Sequence, residues 1–188
     1  AVGMGGIAKE TIRLLSIFGM NDPLAYDPYI DPSSARDLGV RLVELDELMT
    51  KADFVSVHCP LSSETRGLIG AREIGLMKSD AYLINTARGG IVEEDALYVA
   101  LEAGSIAGAA LDCFEEEPVT KPHRFGKMEN VLLAPHAIAW TNELFRDIGR
   151  KACNIMVDLH EGKRPSGCVN SEVFGMRGFQ EKWERIWT

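Results

Sequence analysis

The sequence predicts an α/β fold built on a doubly wound parallel sheet, and three observations carry that expectation. Short apolar runs that read as strands alternate with amphipathic runs that read as helices, the order that builds right-handed crossovers and parallel strands. A glycine-rich turn, Gly3-Met4-Gly5-Gly6-Ile7-Ala8, opens the first of those helices. A carboxylate, Asp27, ends the next strand-like run about 20 residues on, where a dinucleotide-binding sheet presents an acid to a ribose. In register, the last two features make the sheet Rossmann-type.

In chain order, only Ala1-Val2 precede the glycines. A strand normally runs about 5–6 residues, so the first strand reads as cut short, and a longer polypeptide with a leading portion is expected. In the GxGxxA turn the first glycine, Gly3, permits a tight bend. Gly5 lets backbone approach a pyrophosphate, and Ala8 supplies the small residue needed for helix–strand packing. Anions favour such a helix start because its amides and dipole point at them. Ile7, Thr11, Leu14, Leu15 and Phe18 form the apolar face of that helix, which ends at Gly19. Residues 24–26 read as the second strand. Asp27 beyond it would repel a 2′-phosphate, and neither Pro28 nor Tyr29 offers a neutralising cation, so the cofactor is NAD rather than NADP.

Residues 32–38 then read as a short helix, 40–43 as a strand, 44–51 as a helix and 54–58 as a strand, after which Pro60 bars continuation. A short helix at 71–77 precedes a strand at 81–85. Glu93, Glu94 and Asp95 suit the start of the next helix, which buries Leu97, Ala100 and Leu101 and stops at Gly104. Residues 106–111 and 131–133 are further strands. A long helix at 141–161 carries Leu144, Ile148, Ala152, Ile155 and Leu159 on one face and closes at Gly162. Phe179, Trp183, Ile186 and Trp187 form one more apolar helical stripe near the end of the chain.

At 188 residues the chain is one domain, or one domain plus a piece of another. Its formal charge of −8 argues against a nucleic-acid backbone as partner, which needs a basic face. No apolar run approaches the roughly 20 residues of a membrane span, and no signal-peptide pattern opens the chain. Cys59, Cys113, Cys153 and Cys168 are scattered without CxxC pairing, so no metal site is expected, and Cys59 and Cys113 read as small buried residues at strand ends. A reducing cytoplasm is the expected setting.

The candidate chemistry lies where strands end. Ligands of an open parallel sheet bind outside the carboxyl ends of its strands. Glu117 follows the strand at 106–111, and His136 follows the strand at 131–133 behind Pro135. A carboxylate accepting the proton on one imidazole nitrogen fixes the tautomer and leaves the other nitrogen to exchange protons. Arg88, at the end of the strand at 81–85 and followed by Gly89-Gly90, suits bidentate binding of a carboxylate. His58 is a rival imidazole at a strand end, but with no carboxylate near it in sequence it reads as a wall residue beside a dinucleotide. Glu115 and Glu116 read as surface acids.

The motifs VGMGGIAKE, AYDPY, VHCPLSSETRGLI, INTARGGIVEEDAL, ALDCFEEEP and APHAIAW resemble, in that order, the D-isomer-specific 2-hydroxyacid dehydrogenases, from the first residue to about Asn170. The resemblance implies a Rossmann cofactor domain, residues 1–164, set between two pieces of a substrate domain. The leading piece is absent here, and residues 165–188 form the closing piece. It implies hydride transfer between the nicotinamide of NAD and C2 of a small D-2-hydroxy or 2-oxo acid, in homodimers formed through the cofactor domain. Arg88 then anchors the substrate carboxylate and polarises the keto oxygen, and His136 is the acid/base with Glu117 as its partner. Asp112 holds the nicotinamide carboxamide, the backbone at Gly6-Ile7 contacts the pyrophosphate, Asp27 grips the ribose, and His58-Cys59 and Thr86-Ala87 contact the dinucleotide along its length. Ala8 departs from the family's usual third glycine, harmlessly by the packing argument. HAIAW departs from the HIGG form common in phosphoglycerate and glyoxylate members, which leaves the substrate open. An NAD(H)-sensing corepressor and a phosphite dehydrogenase are the alternative readings of the same residues.

Overall fold

The computed structural model describes residues 1–187, Trp187 by its backbone alone; the Trp187 side chain of the C-terminal stripe lies outside the described residues. Its centre is Val2. That residue makes parallel bridges to Tyr26 on one side and Val57 on the other. The Val2 amide donates to Ser56 O at 2.9 Å, and Val2 O accepts from the His58 amide at 2.8 Å. On the other side Tyr26 donates to Ala1 O at 2.9 Å, and Gly3 donates to Tyr26 O at 2.8 Å. Val2 thus joins a two-stranded sheet, β1 (Leu24–Ala25) and β2 (Arg41–Leu42), to a four-stranded one, β3 (Phe54–Val57), β4 (Tyr82–Asn85), β5 (Gly108–Leu111) and β6 (Val131–Leu133). The order is β2-β1-Val2-β3-β4-β5-β6 and every pairing is parallel. All strands therefore end at one edge, and the chain departs to opposite sides of the sheet at Val2.

The helices cover both faces of that sheet. Leu24 and Ala25 are neighbours in β1, so their side chains point to opposite faces, and they fall in different core clusters. Ala25 packs with Met4, Ala8, Ile12, Ala35 and Val40, the side of α1 (Gly6–Leu15) and α2 (Pro32–Arg36). Leu24 packs with the larger cluster, which includes Leu48 of α3 (Leu45–Lys51), Ile74 of α4 (Ala71–Gly75) and Leu97 of α5 (Glu94–Glu102). This is the doubly wound arrangement expected. The local starts follow from the sequence: Asp31 accepts from the Ser33 amide at 2.9 Å with Pro32 in the first turn of α2, and Glu73 reaches back to the Gly70 amide at 3.0 Å before α4.

One expected face differs. Helix α1 buries Ala8 and Ile12, while Ile7, Leu14, Leu15 and Phe18 are exposed. The sheet meets the side that carries the small Ala8, because only a small residue lets helix and strand approach. Successive helical residues are about 100° apart, so that choice turns Ile7 outward. The long helix α6 (Asn142–His160) starts on Thr141, whose Oγ1 accepts from the Leu144 amide at 3.1 Å, but none of its residues is buried. Ile148 is exposed, and Leu144, Ile155 and Leu159 are half-buried.

The chain clusters into two compact units, one from Ala1 to Ile138 and one from Ala139 onward. That break falls before α6. In the second unit Phe179 of α7 (Arg177–Trp187) stacks on Trp183 at 5.5 Å and meets Phe174 edge-on at 5.3 Å.

Leu83, fully buried in β4 between β3 and β5, tests the described core. Leu83→Ala should cost about 2–5 kcal/mol, measured as a lower urea midpoint at unchanged slope. A loss below about 1 kcal/mol would contradict the packing.

Candidate active site

The switch point at Val2 opens a crevice of about 330 Å³. Gly3 lines it with φ +90°, and a Cβ there would lie 2.6 Å from the Cys59 amide nitrogen, so the turn after Val2 runs against the chain leaving β3. Only glycine meets both conditions. At Gly5 and Gly6 an added Cβ would meet nothing within 4 Å, and α1 begins there with neither a side-chain cap nor an acid in its first turn. Open space in front of uncapped helix amides fits a pyrophosphate.

Asp27 lines the same crevice, its Oδ2 accepting from the Met4 amide at 2.8 Å and its Oδ1 from the Tyr29 amide at 2.9 Å. Each oxygen keeps a second lone pair for a ribose hydroxyl. His58 and Cys59 line the crevice as well. The His58 ring pairs through Nε2 with Ser56 Oγ at 2.9 Å, and burial holds it below the ordinary histidine range. Those contacts suit a wall residue.

The second cluster stands over β4, β5 and β6, farther along the same edge. After β4 the chain turns through Thr86-Ala87-Arg88. Asn85, 2% exposed, ties that turn with both halves of its amide: Nδ2 donates to Arg88 O at 3.0 Å, and Oδ1 accepts from the Ala87 amide at 3.1 Å. A Cβ on Gly89 would lie 1.8 Å from Phe114 O, so the arginine turn lies backbone-to-backbone against the acidic loop. Gly89 is thus needed for this contact, while Gly90, at φ +79°, makes the bend. After β5, buried Asp112 accepts from the Ala137 amide at 2.9 Å and the Ile138 amide at 3.3 Å. These bonds hold the loop on which His136 sits with φ +54°, a left-handed conformation uncommon outside glycine.

His136 Nδ1 and Glu117 Oε2 are 2.7 Å apart, and Glu117 Oε1 accepts from the Phe114 amide at 2.9 Å. Partial burial works against ionisation of Glu117. Hydrogen bonds from His136 and the Phe114 amide, with the charges of His136 and Arg88, outweigh it and hold the carboxyl below its ordinary value. Arg88 is exposed, and its Nη1 donates to Ala87 O at 2.6 Å. Burial, reinforced by Glu117 and Asp112, pushes the Cys113 thiol up to about 12, which removes it as a nucleophile.

The structure thus pairs His136 with Glu117 directly and sets Arg88 within electrostatic reach of Glu117. Gly3, Gly5, Asp27, His58 and Cys59 share the crevice; Gly6 and Ile7 begin α1 beside it. Thr86 and Ala87 stand on the arginine turn. Asp112, expected at the nicotinamide, has its carboxylate on the His136 loop. Sequence reasoning passed over Asn85, whose signal was a polar residue closing the apolar run YLIN. Glu115 is exposed, as a surface acid should be, and it has a further part. Glu115 and Glu94 exchange hydrogen bonds, each carboxylate accepting the other's amide at 3.0 and 2.6 Å, which fastens the acidic loop to the start of α5.

A doubly wound sheet with a glycine-lined crevice at its switch point and an acid at the second strand end is a dinucleotide-binding domain. The family model described as D-isomer specific 2-hydroxyacid dehydrogenase, NAD binding domain, matches residues 1–137. A glyoxylate reductase of Korarchaeum cryptofilum is 41% identical over 181 residues, covering 95% of this chain and 54% of that protein. A D-3-phosphoglycerate dehydrogenase of Methanocaldococcus jannaschii is 40% identical over 170 residues, 90% of this chain and 32% of that protein. Among solved structures, the NAD-complexed D-isomer specific 2-hydroxyacid dehydrogenase of Lactobacillus delbrueckii ssp. bulgaricus matches with a TM-score of 0.81 at 31% identity, over 89% of this chain and 54% of that one. The chain belongs to the D-isomer-specific 2-hydroxyacid dehydrogenase family, and its cofactor is NAD. It spans from about a third to about half of the relatives it matches.

Because the Glu117 carboxyl is held below its ordinary value, its contribution to stability is complete above the ordinary carboxylate range and fades as pH falls through the lowered value. Glu117→Gln should lower the Tm by about 2 °C at pH 7, and the difference should shrink as pH falls through the lowered value. A difference that grew on acidification would contradict the assignment.

Proposed function

We propose that this chain is the cofactor-binding part of an NAD-dependent dehydrogenase acting on a small D-2-hydroxy acid and its 2-oxo counterpart. The observation that carries the reading is the 2.7 Å contact between His136 Nδ1 and Glu117, which leaves Nε2 as the ring nitrogen able to exchange a proton with a substrate. When bound, NADH would supply the hydride in reduction and NAD+ would take it up in oxidation. The glycine turn from Gly3 to Ile7 would hold its pyrophosphate and Asp27 its ribose.

In reduction, protonated His136 gives its Nε2 proton to the substrate oxygen as charge develops there; in oxidation the neutral ring removes the hydroxyl proton. Glu117 keeps the ring oriented through Nδ1 and stabilises its charged form. Arg88 receives the substrate carboxylate and steadies negative charge on the adjacent oxygen. To serve, it gives up its contact with Ala87 O, which costs little at an exposed site. The names borne by the relatives, glyoxylate reductase and D-3-phosphoglycerate dehydrogenase, support a 2-oxo or 2-hydroxy acid as the substrate class. The homodimer, the cytoplasmic setting and the return of residues 165–188 to a substrate domain belong to the same proposal.

The test is the polypeptide that carries this chain, mixed with NADH and a panel of small 2-oxo acids and followed by nicotinamide absorbance. Oxidation with at least one acid is expected, and His136→Ala should reduce kcat by about 10²–10⁴-fold with NADH affinity nearly unchanged. No oxidation with any acid would remove the enzyme reading. Collapse of NADH affinity with turnover intact would remove the role given to His136.

A further inference from the structure

The adenosine end of the crevice carries a second acid. Glu64 lies in the loop between β3 and α4, across the switch point from Asp27, and both line the same crevice. The hydroxyl of Tyr29 donates to Glu64 Oε2 at 2.5 Å, and the amide of Tyr29 donates to Asp27 Oδ1 at 2.9 Å. Asp27, Tyr29 and Glu64 therefore form one hydrogen-bonded strap across the crevice. The Glu64 loop is itself tied down. The Ser62 amide donates to Thr65 Oγ1 at 2.8 Å, Thr65 Oγ1 donates to Pro60 O at 2.6 Å, and the Glu64 amide donates to Ser62 Oγ at 3.2 Å. The hydrogen bond to Glu64 raises the Tyr29 hydroxyl above its ordinary range, and the charges of Glu64 and Asp27 add to it, so both carboxylates are felt at one point. No lysine or arginine lines the crevice.

We propose that Glu64, held in place by the Tyr29 hydroxyl, is a second cofactor-selecting residue: together with Asp27 it makes this end of the crevice doubly anionic and excludes a 2′-phosphorylated dinucleotide. A 2′-phosphate would bring its own charge against two fixed carboxylates with no cation to offset them. A single acid could be accommodated by rotating one side chain. Two acids on opposite sides of the crevice, tied through one phenol, leave the phosphate no such escape. NAD, with a free 2′-hydroxyl, can donate where the phosphate can only repel. Removing Asp27 alone therefore does not open the crevice to NADPH. The inference rests on the cofactor crevice and is independent of the chemistry assigned to His136.

The experiment measures NADH and NADPH dissociation constants by fluorescence titration for the polypeptide that carries this chain. The variants are Glu64→Gln, Glu64→Lys, Asp27→Ser and Asp27→Ser with Glu64→Gln. Glutamine keeps an acceptor for Tyr29 and removes only the charge. Glu64→Gln should shift the NADPH-to-NADH affinity ratio toward NADPH by about tenfold, by Coulomb repulsion relieved in a partly solvated site. Glu64→Lys should shift it further, and each effect should shrink as added salt screens the charges. The shift should persist in the Asp27→Ser background, with the thermal unfolding midpoint of each variant the check on folding. A ratio unchanged within about twofold for both Glu64 variants, with NADH still bound, would overturn the proposal. Wild-type protein binding neither dinucleotide would overturn it by a distinguishable route, through the crevice itself.

Discussion

In a parallel sheet every strand hands its chain to a loop at the same edge, and the polar groups of those loops must find partners beyond the strand ladders. Two buried side chains meet that demand here. Asn85 closes the turn of Arg88 with both ends of its amide, and Asp112 gathers the amides that follow His136. The Asp112 amide in turn donates to Asn85 O at 3.0 Å, so the ends of β4 and β5 are fastened together. Leaving any buried member unpaired costs on the order of 1–3 kcal/mol, which keeps the three loops from drifting independently. The positive φ of His136 is sustained by that network, in keeping with the rule that a strained backbone persists where its surroundings over-determine it.

Close approach of backbone to backbone is the second constraint, and glycine is what permits it. Gly89 has room for no side chain against Phe114 O, and Gly3 has none against the Cys59 amide. The first contact brings the cationic turn to the acidic loop; the second brings the start of the domain to the strand beyond the switch point. Electrostatics then follow from position. Glu117 is surrounded by enough donors and positive charge to stay ionised, while Cys113, on the same loop after β5 but buried near acids, stays a thiol.

Much of this was legible in the chain. The strands were readable because short apolar runs end at glycine, proline or polar residues, and the GxGxxA turn, Asp27, Arg88, Glu117 and His136 could each be placed at a strand end. The pairing of His136 with Glu117 followed from that placement. The buried face of α1 was not legible from periodicity, because Ile7, Leu14 and Leu15 make the more apolar stripe; what decides is the size of Ala8 at the point of closest approach. Asn85 escaped in a different way. A polar residue at a strand end can face a ligand or its own backbone, and the choice depends on where the next loop runs. The tie of Glu115 to the amide of Glu94 was not legible because the two lie far apart in sequence.

The account stands on the orientation of one imidazole by one carboxylate, and nitrogen NMR of His136 reads that orientation directly. With Glu117 ionised and facing Nδ1, the neutral ring should carry its proton on Nδ1, leaving Nε2 as the bare nitrogen toward the substrate side. Glu117→Gln should weaken that tautomer preference. A neutral ring protonated on Nε2, or a tautomer indifferent to the loss of the Glu117 charge, would contradict the account at its centre.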